Sequence, residues 1–422
     1  MGTPSDAAHT GTAGPSRPDT QDRPPPSANL RDRIRTLHAH PHAWWVEAIL
    51  VFLLIRLLGV LTLTRMATLH SETLRSRLAV WDGEWMLSIA AHGYGGVPAT
   101  LTDAYGVHTA DTAYAFFPGY PYLVGAVARL PLVSPFGAAI GVNVVLGCLA
   151  AVGAARLGHL CATQMSGRSP IGAADPRATG LFLVALFAAT PMSVVLNMAY
   201  TEALFCALAV WALVGVLEGR WLLAGVMTLF AGTCRPTSVV LIGVVMLAAI
   251  IALVRRDEPR AWFAVILAPL GYLGYLSVVW AQTGSPTGWF EVQKDGWDTS
   301  LDFGVAAYRF VNDTLGDSDV VAHTATAMVI LASIVMVGVA VWARMPWPVL
   351  VYGTLVVVSI LISTGLMMSR PRLLLPAFVL LVPLAMALAR VRRGLGVALL
   401  VPIVLGSSWF GAHMLTVFPN AI

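Results

Sequence analysis

Two carboxylates stand two residues apart between indole rings, in Trp81-Asp82-Gly83-Glu84-Trp85, and the stretch runs on to His92-Gly93-Tyr94. A carboxylate desolvated by such rings is a stronger base near neutral pH, so Asp82 is a candidate to take a proton from a hydroxyl. Glu84 would position it or share the work. The D-x-E spacing also suits a divalent cation, although two carboxylates alone make an incomplete metal site. The plainer reading of Asp82, an ordinary solvated loop carboxylate, stays open beside these.

Three arginines could meet a phosphate. Arg370 and Arg372 flank Pro371 late in the chain, and a guanidinium fork matches phosphate oxygens two at a time. Simple anchoring at lipid headgroups is the alternative. Arg56 lies deep inside an apolar run, where a charge is expensive and marks a functional or paired residue. Glu47, nine residues earlier, faces the other side of that helix about 13 Å away, so Arg56 needs a partner from elsewhere. Glu202, in Tyr200-Thr201-Glu202, reads either as a substrate contact or as a carboxylate favoured at a helix N-terminus. His92 has no second histidine at ligand spacing, and Cys148, Cys161, Cys206 and Cys234 lie in or beside apolar runs without CxxC spacing. No metal site is therefore expected, and no cofactor beyond a possible divalent cation at Asp82 and Glu84. No Walker or Rossmann pattern supplies a nucleotide site.

The elements that must position these groups are hydrophobic. Of the 422 residues 57% are hydrophobic and only 11% charged, with a mean hydropathy of +0.75. Apolar runs of about 20 residues recur, each long enough to cross a bilayer core, so the chain is an all-α polytopic membrane protein. The spans fall near 44–64, 136–160, 178–196, 201–217, 221–236, 237–254, 261–281, 322–343, 347–367, 371–389 and 395–415, about 11 in all. The segment 114–131 is left out because two prolines and a glycine break it and its clustered rings suit an interface. Residues 1–40 are polar and Pro-rich, a disordered tail, and 41–422 form the membrane domain.

The net charge of +4 would hint at nucleic acid in a soluble protein. In this chain basic residues concentrate in alternate loops, which places them and the tail in the cytoplasm. The loops 65–135 and 282–321 then lie outside the cell membrane, the first carrying helices that rest on the bilayer. Asp82, Glu84, Tyr200, Glu202, Arg235, Gln293, Trp297, Arg370 and Arg372 all fall toward that outer face.

Four stretches resemble the PIG-V family of mannosyltransferases (GPI mannosyltransferase 2 and its bacterial relatives), within the GT-C class of membrane glycosyltransferases. They are Trp81 through Tyr94, Ala115-Phe116-Phe117-Pro118-Gly119-Tyr120-Pro121, Ala199 through Phe205, and Ser369-Arg370-Pro371-Arg372 with Leu375-Pro376-Ala377. The resemblance implies a GT-C-like bundle whose long first outer loop carries an acidic catalytic residue. It implies a polyprenyl-phosphate mannose donor, a lipid-linked or cell-envelope glycan acceptor, and inversion at the anomeric carbon. On that basis Asp82 and Glu84 are the catalytic candidates, and Arg370, Arg372 and Arg56 hold the donor phosphate. Trp81, Trp85, Tyr94, Tyr120, Tyr200, Glu202 and Trp297 line the substrate. The rival classes are a transporter or flippase for lipid-linked sugars, which would carry its charges on broken helices near the midplane, and a non-catalytic scaffold.

Overall fold

A computed structural model describes residues 43–421; the expected tail, 1–40, lies outside them. The described chain is helical, with one isolated bridge, Leu301 to Ser363, in place of any strand.

The first helix, α1 (Ala43–Leu69), is followed by the long first loop. That loop holds α2 (Leu74–Ala79), α3 (Asp82–His92) and α4 (Gly119–Ala128), with 3-10 turns at Tyr94–Gly96 and Thr112–Ala115. Then come α5 (Pro135–Met165), α6 (Pro176–Ala188), α7 (Glu202–Leu217), α8 (Trp221–Gly232) and α9 (Ser238–Arg256). The helices α10 (Trp262–Leu267) and α11 (Leu270–Thr283) form one span, and α12 (Gly288–Trp297) and α13 (Val305–Asp317) occupy the second large loop. The chain closes with α14 (Val321–Trp342), α15 (Trp347–Leu361), the short α16 (Arg370–Leu373), α17 (Val382–Arg390) and α18 (Arg393–Thr416).

Local sequence explains the main starts. Ser134 accepts from the Gly137 amide with Pro135 in the first turn of α5, and Asp175 accepts from the Arg177 and Ala178 amides ahead of Pro176 in α6. Both are N-caps followed by the residue best preorganised for a first turn. The centre of the bundle is α5 packed on α6 and α7, with α7 on α8. These helices approach closely because small residues face each other: a Cβ on Gly158 would stand 2.9 Å from the Gly180 Cα. Close packing of this kind replaces the hydrophobic drive that lipid does not supply.

Among the described residues six helices are long and apolar enough to cross a membrane, and the chain is a multi-pass membrane protein. The pair Met367–Leu373 and Leu375–Arg390 is bent by 53°, a shape that suits either a broken span or a re-entrant loop. Four further apolar helices, α6, α7, α8 and α15, are shorter, so the expected eleven full spans are not reproduced as such. The difference has local causes. The expected span 178–196 stops at Ala188, because Thr190-Pro191 breaks the ladder before a 3-10 turn at Ser193–Asn197. The segment 114–131 contains only the ten-residue α4.

Candidate active site

Asp82 opens α3, and the residue before it is strained. Trp81 has φ 57° and ψ −118°, a left-handed backbone that a bulky residue rarely adopts. The turn is locked from the other side. Ala199 donates its amide to the Leu78 carbonyl (2.9 Å), and the Tyr200 hydroxyl donates to the Val80 carbonyl at 3.1 Å. Gly83 packs on this segment, where a Cβ would stand in ordinary contact, 3.4 Å from the Tyr200 ring. The Tyr200 segment is itself held by Asn143 of α5, whose amide donates to the Met198 and Tyr200 carbonyls. The Ala199–Tyr200 stretch thus fastens the residues that lead into Trp81 and Asp82.

The third motif arrives as charge. Arg372 Nη1 lies 2.6 Å from Asp82 Oδ2 and 3.9 Å from Glu202 Oε1, and its guanidinium stacks 5.0 Å above the Tyr200 ring. Glu202 also faces Arg235 Nη1 at 3.3 Å, and Arg235 rests over Phe205. The result is a chain of alternating charge: Asp82, Arg372, Glu202, Arg235. Two acids and two bases balance, which a low-dielectric setting demands. Asp82 is the open end, its side chain 30% exposed, whereas Glu202 is 1% exposed. The Nε of Arg372 makes no hydrogen bond, and neither does Oε2 of Glu202.

The fourth motif frames the entrance. Trp85 turns away from Asp82 into a stack with Phe116 (5.1 Å) and His108 (6.4 Å), with Trp297 edge-on to both Trp85 and Phe116. Tyr94 stacks flat on Tyr114 at 4.5 Å and donates to the Phe116 carbonyl at 2.7 Å. Burial pushes the Tyr94 phenol well up, so it remains a neutral donor. Gly119 donates its amide to the Thr233 carbonyl (2.7 Å), tying the Phe-Phe-Pro-Gly turn to the strand of backbone that carries Arg235. Gln293 of α12 reaches back to the Ala115 carbonyl at 3.0 Å.

Several expected roles change. Arg370 does not join the carboxylates. It is 1% exposed, and its guanidinium donates to Ser363 Oγ (3.1 Å), the Ser363 carbonyl and the Thr364 carbonyl (2.9 Å). Arg56 is buried against Gly59 and Ser408, with Nε and Nη1 unbonded, and pairs with none of the four charged groups. Glu47 pairs with Arg177 at 2.8 Å. Tyr120, Tyr200 and Glu202 are enclosed and support the site from behind. Trp81 is half-buried and makes no ring contact with Trp85. Ring desolvation is thus not what surrounds Asp82; an arginine is. Glu84 is exposed. Among the described residues no three His, Cys, Asp or Glu side chains group closely enough to hold a metal ion. Arg235 and Asn143 complete the site; the first showed in sequence only as a helix-end charge, and the second gave no signal at all.

The helical bundle and the family that the chain matches make it a membrane glycosyltransferase with a GT-C fold. The fold matches that of ArnT from Cupriavidus metallidurans, solved bound to undecaprenyl phosphate, with a TM-score of 0.50 at 13% identity, covering 90% of this chain and 76% of that one. The chain belongs to the PIG-V mannosyltransferase family, whose model matches residues 57–281. No curated protein sequence matches it. Asp82, Glu202 and Arg235 lie inside the matched stretch and Arg372 outside it.

Proposed function

We propose that the chain moves a mannosyl residue from polyprenyl-phosphate mannose to a hydroxyl of a lipid-linked or cell-envelope glycan. The observation that carries this reading is the 2.6 Å contact between Asp82 and Arg372. It puts a carboxylate that can take a proton beside a fork that can hold a phosphate. Asp82 removes the acceptor proton as the oxygen attacks the anomeric carbon. The C1–O bond breaks with its electron pair going to the phosphate, and Arg372 stabilises the charge that develops there. Attack from the face opposite the leaving group turns a β-linked donor into an α-linked product.

Trp85, Phe116 and Trp297 offer flat faces on which a sugar ring can rest. Arg370 has no part in this step because its donors are committed to the 363–364 turn, and Arg56 is not assigned to the donor. That ArnT was solved with undecaprenyl phosphate fits a donor on a carrier of the same class. The site faces the extracytoplasmic side, and the tail lies in the cytoplasm. The test is transfer of radiolabelled mannose from polyprenyl-phosphate mannose by purified protein to extracted envelope lipids, with linkage analysis of the product. Transfer from a nucleotide sugar alone, or a β-linked product, would overturn the reading.

A further inference from the structure

A second site lies at the other end of the bundle. The helices α5, α7 and α9 all pass the charged cluster near their starts, at Asn143, Glu202 and Ser238, and end at Met165, Leu217 and Arg256. At 1.5 Å per residue those ends are about 22–33 Å away. There they enclose a cavity of about 760 Å³ together with the turn between α14 and α15. Its polar wall includes Arg168, Arg256, Arg344 and Gln164; its apolar wall includes Trp221 and Trp347.

The charge on this wall is one-sided. No acidic residue lines the cavity. Of the acids nearby, Glu218 is held by Arg156 at 2.6 Å and Arg220 at 3.5 Å, and Glu258 accepts from the Trp221 indole at 2.5 Å. Asp257 turns the chain at the end of α9 in a left-handed conformation. The wall is also tied in place. Arg344, itself left-handed at φ 57°, donates to the Arg168 carbonyl at 3.2 Å and so joins two arginine-bearing turns across the mouth.

Six candidate spans or apolar helices (α5, α7, α8, α9, α14 and α15) end or begin here, so the cavity sits at a membrane–water boundary. A volume of this size is far larger than a free anion needs, and most of its wall residues are apolar. Arginines with indole rings at a boundary match a phosphate head on an apolar tail. We infer that this cavity binds an anionic glycerophospholipid, its phosphate on Arg168, Arg256 and Arg344 and its acyl chains along Trp347 and the α9 face.

The experiment reconstitutes the full chain into nanodiscs of phosphatidylcholine with one quarter phosphatidylglycerol, then counts lipid retained after detergent extraction by native mass spectrometry. Phosphatidylglycerol should be retained over phosphatidylcholine. Arg168→Gln and Arg256→Gln should each weaken retention roughly tenfold, the scale of one charge-assisted hydrogen bond, while Arg309→Gln in α13 should not. Thermal unfolding of each variant in phosphatidylcholine alone separates lost binding from lost fold, and Arg168→Lys should restore part of the retention. Equal retention of both lipids, or equal loss in Arg309→Gln, overturns the site. Displacement by millimolar inorganic phosphate, or by polyprenyl phosphate at equal concentration, overturns the glycerophospholipid as its occupant.

Discussion

At the residue scale Asp82 and Arg372 form one unit, and substitutions should divide accordingly. Asp82→Asn keeps the shape but cannot accept a proton, so transfer should fall by about 100- to 10,000-fold, a loss beyond the lowered unfolding midpoint expected when Arg372 loses its nearest counter-charge. Wild-type rates in that variant would remove Asp82 as the base. Arg372→Lys and Arg370→Lys make a sharper pair. Lysine at 372 loses both the fork and the stack on Tyr200, and donor use should drop roughly ten- to a hundredfold. Lysine at 370 cannot reproduce three bonds to the 363–364 turn, so it should lower stability by about 1–3 kcal/mol while donor KM stays near normal. If the two variants behaved alike in kinetics, the division of labour between these arginines would be wrong. Glu202→Gln tests the buried half: it leaves Arg235 uncompensated and should cost about 3–5 kcal/mol of stability.

At the element scale much of the architecture was legible, and its limits have physical causes. Apolar runs located α1, α5, α9, α14 and α18, because a bilayer thickness imposes a length that composition reveals. The short helices were blurred: Thr190-Pro191 cuts an apolar run without interrupting its hydropathy. Asp82, Glu202 and Arg372 stood out in sequence because charge is scarce, yet their contact could not be read. Grouping Arg370 with Arg372 failed for a geometric reason: residues two apart on a helical turn point about 200° from each other. One faces Asp82 and the other the 363–364 turn. The α3–α4 contact offers a test of how firmly elements position Asp82, the proposed base. A Cβ on Gly125 would meet the Ala90 carbonyl at 2.7 Å, backbone against helix, so Gly125→Ala must push α3 aside. It should depress kcat several-fold in mannose-transfer assays even though residue 125 touches none of the four charged groups. The second large loop is fastened by Asp302, whose carboxyl is held below its usual range by the Ala306 amide first and by Gly304 and Arg370 after it. A depressed carboxyl stabilises above its unfolded value of about 3.9 and loses that as pH falls through the folded one. Exchange protection of the Gly304 and Ala306 amides, corrected for intrinsic rate, should therefore be lost only below about pH 4.

At the scale of the whole molecule the two ends of the bundle carry different chemistry, and orientation decides which solvent each meets. With native cysteines removed, Thr102→Cys and Ser318→Cys should react with an impermeant maleimide on intact cells, and Ser166→Cys only after permeabilisation. The opposite pattern would place the transferase site in the cytoplasm and reverse the positive-inside assignment.

The charge chain also sets an order of manufacture. Arg372 follows Asp82 by 290 residues, which at 5–20 residues per second leaves a nascent chain waiting roughly 15–60 s for its last charge. Glu202 and Arg235 can neutralise each other long before that, early in insertion. Asp82 has to wait in the incomplete first loop until the final third emerges. Completion of the Asp82–Arg372 pair is thus among the last events of biogenesis.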